Sequence, residues 1–339
     1  MFNFKNDYNC LCHENILNAL ANCMDEANEV YGNDIHTENA KKLIKKYLKN
    51  DNVDIHILVG GTLVNKTVIS HILRPYEAVI SATTGHINVH ETGAIEAMGH
   101  KVVTIPEHNG KIKIEDIEKC ITIHCDEHMV LPKLVYISES TETGTVYSKE
   151  ELKELYEYCK SKELYLFVDG ARLGSALATG LISLEDLTLY SDVFYIGAAK
   201  NGGLLGEAIV IVNDELKSNF RFSIKQCGGM YSKGFVAGIQ FEELFKDDLY
   251  LKIAQVSNKS AKLLYDELIK REIKFQSPCI TNQIFPIVSN DLYLKLKDIA
   301  SFELWEDLGE EKVIRFVCGF KSTKEYVLEF INKLDEIMQ

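Results

Sequence analysis

The chain has 339 residues, 46% of them apolar and 26% charged, with 37 basic against 50 acidic side chains and a formal net charge of −13. That balance is too apolar for a disordered chain, and its negative field disfavours polyanions, so nucleic-acid binding is not expected. The opening residues Met1–Lys5 lack a signal-peptide core, no apolar run reaches the ~18 residues of a membrane span, and nine scattered cysteines read as free thiols. A cytoplasmic protein of about two domains, with no membrane partner, is the expectation.

In chain order, Asp54–Val59 reads as a short buried strand that ends at Gly60-Gly61, and helical spacing follows from Thr62 to Leu73. Ala78–Ser81 and Lys101–Ile105 read as strands with a helix over roughly 86–98 between them, and Leu134–Ile137 as another strand. Ser148-Lys-Glu-Glu151 has the form of a capping box opening an amphipathic helix to about Lys162. Leu164–Val168, Val193–Ile196 and Ala208–Val212 complete a set of nearly continuous apolar runs, as strands covered on both faces require. Strand and helix in alternation predict an α/β fold with a parallel or mostly parallel sheet. Beyond about 240 the texture changes to a long helix over 250–271, strands around Ile284–Val288 and Val313–Val317, and a closing helix from Thr323. The expected division is a large domain over 1–240, including the N-terminal segment, and a small α+β domain over 241–339.

In open α/β sheets ligands gather beyond the carboxyl ends of the strands, so polar residues at those ends draw the eye. Gly60-Gly61-Thr62 lies between strand and helix and reads either as a phosphate cradle or as a tight turn. It lacks P-loop spacing. Asp169-Gly-Ala-Arg172 follows an apolar strand, where a carboxylate is costly unless paired; a structural ion pair and a partner for a protonated ring nitrogen are the two readings. Lys200, among small residues in Ile196–Gly203, is either a loop lysine or a partly desolvated amine able to form a Schiff base. His86 is a helix cap or a flat ring for stacking on a planar cofactor.

Taken together and in this order, these residues resemble the fold-type-I pyridoxal-phosphate enzymes, and among them the threonine aldolase and β-eliminating lyase group. The resemblance is carried by Val30-Tyr31-Gly32-Asn33-Asp34, Gly61-Thr62, His86 with Glu91, Val168–Arg172, Lys200-Asn-Gly, Gly228-Gly229-Met230 and Ile314–Val317. It implies a large aminotransferase-like domain with a small C-terminal one, and pyridoxal 5′-phosphate as cofactor. Lys200 would hold the cofactor covalently, Asp169 would pair with its ring nitrogen, His86 would stack on the ring, and Gly61, Thr62 and Arg172 would complete the binding set. Arg172 and Arg315 would clamp the substrate carboxylate, joined on the substrate side by Asn6, Tyr31 and Lys225. Tyr31 and Lys225 match positions near a subunit boundary, which implies a homodimer or homotetramer.

The implied reaction is retro-aldol cleavage of a small β-hydroxy amino acid, L-threonine or allo-threonine giving glycine and acetaldehyde. Glu142 stands where a histidine near the substrate hydroxyl is usual, so a carboxylate would have to serve as the proton acceptor. Asn6, Ala199 and Tyr231 are further departures from the group's pattern. β-Elimination from another amino acid, or cofactor binding without lyase activity, are the alternatives. Cys120, His124, Cys125 and His128, like Cys10-Leu-Cys12-His13, are metal-ligand types without a second pair, and no metal site is expected. The doublets Lys41-Lys42 and Lys45-Lys46 read as a solvated helix face.

Overall fold

The computed structural model describes residues 1–338. Its elements run β1 (Phe2–Asn3), α1 (Glu14–Asn22), α2 (Ile35–Leu48), β2 (Asp54–Leu58), α3 (Gly61–Ile72), β3 (Glu77–Ala82), α4 (His86–Val89), β4 (Lys101–Ile105), α5 (Ile114–Ile123), β5 (Leu131–Ser138) and α6 (Lys149–Ser161). They continue β6 (Tyr165–Asp169), α7 (Leu173–Leu177), α8 (Leu184–Leu189), β7 (Val193–Gly197), β8 (Glu207–Ile211), α9 (Phe220–Gln226), α10 (Phe235–Leu244) and α11 (Leu249–Ile269). The remainder is β9 (Lys274–Phe275), β10 (Gln283–Ile284), β11 (Pro286–Ser289), α12 (Asn290–Ile299), β12 (Ala300–Ser301), β13 (Glu303–Asp307), β14 (Glu311–Val317) and α13 (Lys324–Met338).

The large sheet has the order β2-β8-β7-β6-β5-β3-β4. Its neighbours pair in parallel except β8, which is antiparallel to both β2 and β7. Every residue of β3, β7 and β8 is buried, so the apolar runs reflect cover on both faces. One face packs Ile44, Leu155, Val168 and Phe241 into a core, the other Val68, Phe167 and Ile224. The Ser148–Glu151 capping box forms as expected and opens α6, which buries Leu152, Leu155 and Cys159 toward the sheet.

One expectation needs correction. The helix expected over 86–98 is a single turn at His86–Val89 and a 3₁₀ turn at Glu96–Met98, because Thr92 and Gly93 both take left-handed backbone and break the run. The first residues of the chain pack with the C-terminal elements. Phe2 pairs with Ala300, and Phe4 is buried among Ile314, Phe316 and Phe330. Gln240, at the expected boundary, lies within α10. In the small sheet β10 and β11 keep one register along β14, Gln283 opposite Val317 and Ile287 opposite Val313, with Phe285 between them. Among the described residues no helix is long and apolar enough to cross a membrane.

Candidate active site

The sheet directions bring the ends of β2, β3, β5, β6 and β7 to one edge. The antiparallel β8 begins at that same edge, with Glu207 opposite Gly197. Asp169 closes β6, and the chain leaves it through Gly170, where a Cβ would stand 1.7 Å from the Tyr195 carbonyl oxygen, so only glycine allows this crossing. Asp169 is buried and fully partnered. Oδ2 accepts from the Tyr136 hydroxyl at 2.5 Å and Asn65 Nδ2 at 3.0 Å, while Oδ1 accepts from the Ala171 N–H at 3.0 Å and from the Tyr195 hydroxyl. Burial pushes its pKa up, but the His86 charge and these donors outweigh that and hold it below the usual carboxylate range.

His86 opens α4. Its Nδ1 lies 2.7 Å from Glu91 Oε1, which also accepts from Asn65 Nδ2 at 2.7 Å. His86, Glu91, Asn65 and Asp169 therefore form one connected chain of polar groups. Burial lowers the His86 pKa, but the Glu91 hydrogen bond and the charges of Asp169 and Glu142 bring it above the usual histidine value.

Lys200 follows β7 in a tight turn, with the N–H groups of Asn201 and Gly203 both donating to the Ala198 carbonyl at 2.8 Å. Its Nζ lies 5.8 Å from the centre of the Tyr8 ring. Burial first, then the Arg172 charge, hold the amine below the usual lysine range, against the pull of Asp7, Glu142 and Asp169. Glu207 is buried too, and burial pushes its carboxyl up to about 8 despite the Lys200 charge.

Gly61 and Thr62 begin α3. Gly60, the preceding cap, contributes no side-chain bond, so the first N–H groups face outward as donors. A Cβ on Gly61 would come within 3.1 Å of the Tyr195 hydroxyl that holds Asp169, which ties the helix start to the carboxylate.

Arg172 is gripped by Asp7, Nε to Oδ2 at 2.8 Å and Nη2 to Oδ1 at 3.1 Å, both groups buried. Burial opposes its charge, and Asp7 more than restores it. Arg315 on β14 bonds Glu303 across the strand pair, reaches Gln283 Oε1 at 3.4 Å and lies 5.3 Å over the Trp305 ring. Burial and the charge of Arg172 lower its pKa. Glu142 is buried, and its charge acts on His86, Lys200, Arg172 and Arg315, which places it inside the same constellation.

The other sequence-selected residues stand apart. Asn6 spends its side chain locally, Oδ1 accepting from the Tyr8 N–H at 3.2 Å; the neighbour that enters the site is Asp7. Tyr31 and Lys225 form their own pair, Nζ 5.4 Å from the ring centre. Among the described residues no hydrogen bond or ion pair links that pair to Lys200. His124 bonds the Cys120 carbonyl at 2.8 Å, a local helix-end contact. Asp7, Asn65, Tyr136, Tyr195 and Glu207 are participants that sequence reasoning did not assign.

A β-eliminating lyase family model matches residues 10–291. The chain belongs to that family. A low-specificity L-threonine aldolase of Pseudomonas aeruginosa is 28% identical over 345 aligned positions, covering 98% of this chain and 97% of that one. The structure of a threonine aldolase from Leishmania major superposes with a TM-score of 0.98 at 42% identity, covering 100% of both chains. A histidinol-phosphate aminotransferase from Clostridium acetobutylicum, at 16% identity and a TM-score of 0.74 over 99% of each chain, shares the fold. Membership of the β-eliminating lyase family makes the protein a lyase and implies dependence on pyridoxal 5′-phosphate.

The residues present fit that group. The family's cofactor has a phosphate, a basic ring nitrogen and an aldehyde. The start of α3 offers N–H donors without a side-chain cap, Asp169 offers a buried ionised carboxylate, and Lys200 offers an amine of lowered pKa. All four acceptor positions of Asp169 are filled by protein donors, so a ring N–H would replace one of them.

Proposed function

We propose that this lyase cleaves L-threonine or L-allo-threonine to glycine and acetaldehyde by retro-aldol chemistry, with Lys200, His86 and Glu142 as its catalytic residues. The observation that carries the reading is the convergence of Asp169, His86 and Lys200 at one sheet edge. The likeness to threonine aldolases along the whole chain supports it. When bound, pyridoxal 5′-phosphate supplies a sink for the electron pair released as the Cα–Cβ bond breaks.

This chain's residues do the rest. Lys200, Asp169, Arg172, Gly61, Thr62 and His86 would hold the cofactor. Arg315 is the guanidinium that can exchange partners, because Glu303 is 38% exposed whereas Asp7, which holds Arg172, is 0% exposed in its side chain. An incoming α-carboxylate would displace Glu303, Arg172 would supply the second positive charge, and the two-point clamp would fix the orientation of the substrate's Cα. Glu142 then takes the proton of the β-hydroxyl, and Lys200 moves a proton at Cα. Tyr31 and Lys225 act from a neighbouring copy in a homodimer or homotetramer.

The test is incubation of the cofactor-loaded protein with L-threonine, L-allo-threonine, L-serine and L-cysteine. Acetaldehyde with equimolar glycine is expected from the first two. Pyruvate and ammonia from the last two, without acetaldehyde, would establish β-elimination instead, and cofactor retention with no turnover would establish a binding protein.

A further inference from the structure

A second cluster lies away from Lys200, where α1 ends and α2 begins. Cys23 caps the C-terminus of α1, Glu26 follows in the loop, and His36 sits in the first turn of α2. His36 Nε2 is 2.7 Å from Glu26 Oε2 and 3.7 Å from Cys23 Sγ, and the three ligand atoms all lie within 4.8 Å of one another. The other ring nitrogen, Nδ1, meets Glu242 Oε2 of α10 at 2.7 Å, and Glu242 Oε1 accepts from Asn39 Nδ2 at 3.1 Å.

An imidazole turned with one nitrogen toward a thiol and a carboxylate, and with the other held by a second carboxylate, is the arrangement that orients a metal-bound histidine. Zinc-to-sulfur and zinc-to-nitrogen bonds of about 2.3 and 2.0–2.1 Å at a tetrahedral angle put S and N roughly 3.6 Å apart. The observed Cys23–His36 spacing of 3.7 Å already matches. Glu26 must retreat from its 2.7 Å hydrogen bond by roughly 0.7 Å to reach such a geometry, and its side chain is 45% exposed and able to move. The cluster borders a cleft of about 590 Å³ that reaches Asn18 and Asn22, which leaves a fourth position open to water.

We propose that Cys23, Glu26 and His36 form a divalent cation site of the zinc class, with Glu242 as the outer partner that fixes the imidazole. The thiolate, imidazole and carboxylate set suits zinc over calcium or magnesium. The site is separate from the Lys200 chemistry, and its role is to fasten the end of α1 to α2 and α10. The opposite end of α1 is already fastened to the lysine turn, since the His13 N–H donates to the Gly202 carbonyl at 2.8 Å.

The experiment is equilibrium dialysis of the chelator-treated, cofactor-loaded protein against Zn²⁺, followed by metal analysis and X-ray absorption at the zinc edge. One zinc per chain with a single sulfur neighbour is expected. Cys23→Ser should remove the sulfur neighbour and most of the binding, Glu242→Gln should weaken affinity about 10–100-fold, and Cys125→Ser should change neither. His36→Gln should abolish binding, with circular dichroism confirming the fold; if that variant does not fold, Cys23→Ser and the sulfur count decide. No retained zinc, a sulfur-free shell, or undiminished binding in Cys23→Ser would overturn the site and leave the trio as an ion-paired clip.

Discussion

Arg172 and Asp7 face each other in a two-pronged buried ion pair although 165 positions separate them in the chain. Asp7 also accepts from Asn282 Nδ2 at 2.9 Å, so residues from the beginning, middle and end of the sequence meet on one carboxylate. That carboxylate sits among the positive groups Arg172 and Lys200 and offsets both.

Replacing Asp7 by Asn should therefore be costly. Removing one member of a buried pair leaves the other charge uncompensated, a loss of about 3–5 kcal/mol that urea denaturation would register. Asp7 raises the Lys200 pKa, so its loss should move the free amine's titration further down, visible in the pH dependence of amine modification of the cofactor-free protein. An unchanged urea midpoint would contradict the pairing.

The tyrosine pair on Asp169 gives a second expectation. Tyr136→Phe removes a donor to the ionised carboxylate, worth about 1.5–3 kcal/mol, or roughly one to two pH units. Asp169 has its folded pKa depressed, so its contribution is present above the unfolded value and lost as pH falls through the folded one. The variant should release cofactor on acidification at a correspondingly higher pH.

Glu142→Gln keeps shape and removes the proton acceptor. A loss of about 10²–10⁴-fold in kcat with L-threonine is expected, as for a general base, while cofactor retention stays intact. Glu142→His should recover part of that rate. Equal rates in wild type and Glu142→Gln would remove Glu142 from the chemistry.

Acid stability has a separate source. Burial holds His56 on β2 neutral, its pKa lowered to about 3, and its Nε2 has no partner among the described residues. Between that value and the unfolded pKa only the unfolded chain binds the proton, so stability falls as pH drops through this window. From neutrality to about pH 4.5 the loss should be on the order of 2–3 kcal/mol. His56→Phe, beside Phe220, should flatten this part of the stability profile.

Lys200→Ala should lose the borohydride-fixable attachment of the cofactor together with turnover, with the fold intact by circular dichroism. Fixation persisting in that variant would assign the amine elsewhere.

How much of this was legible in the sequence follows from range. Asp169 and Lys200 could be found because each interrupts an apolar run that burial on both faces makes unmistakable. Asn65 and Tyr136 could not, because each lies within an element whose pattern reports only burial, and their polar atoms find Asp169 through the tertiary fold. Glu207 was hidden by direction: it precedes Ala208 as though it belonged to a loop, and only the antiparallel course of β8 carries it to the site. The segment after His86 misled because Thr92 and Gly93 take left-handed backbone inside an otherwise helical pattern.

The leading segment has a mechanical consequence. Phe4 is rooted in the small core and Asp7 grips Arg172 just three positions on, a stretch of chain no longer than about 10 Å. Such a leash has almost no slack. Were the small sheet to swing away from the large one, it would draw Asp7 from its arginine in the same stroke and strand a buried charge, so the ion pair works as a latch between the two sheets.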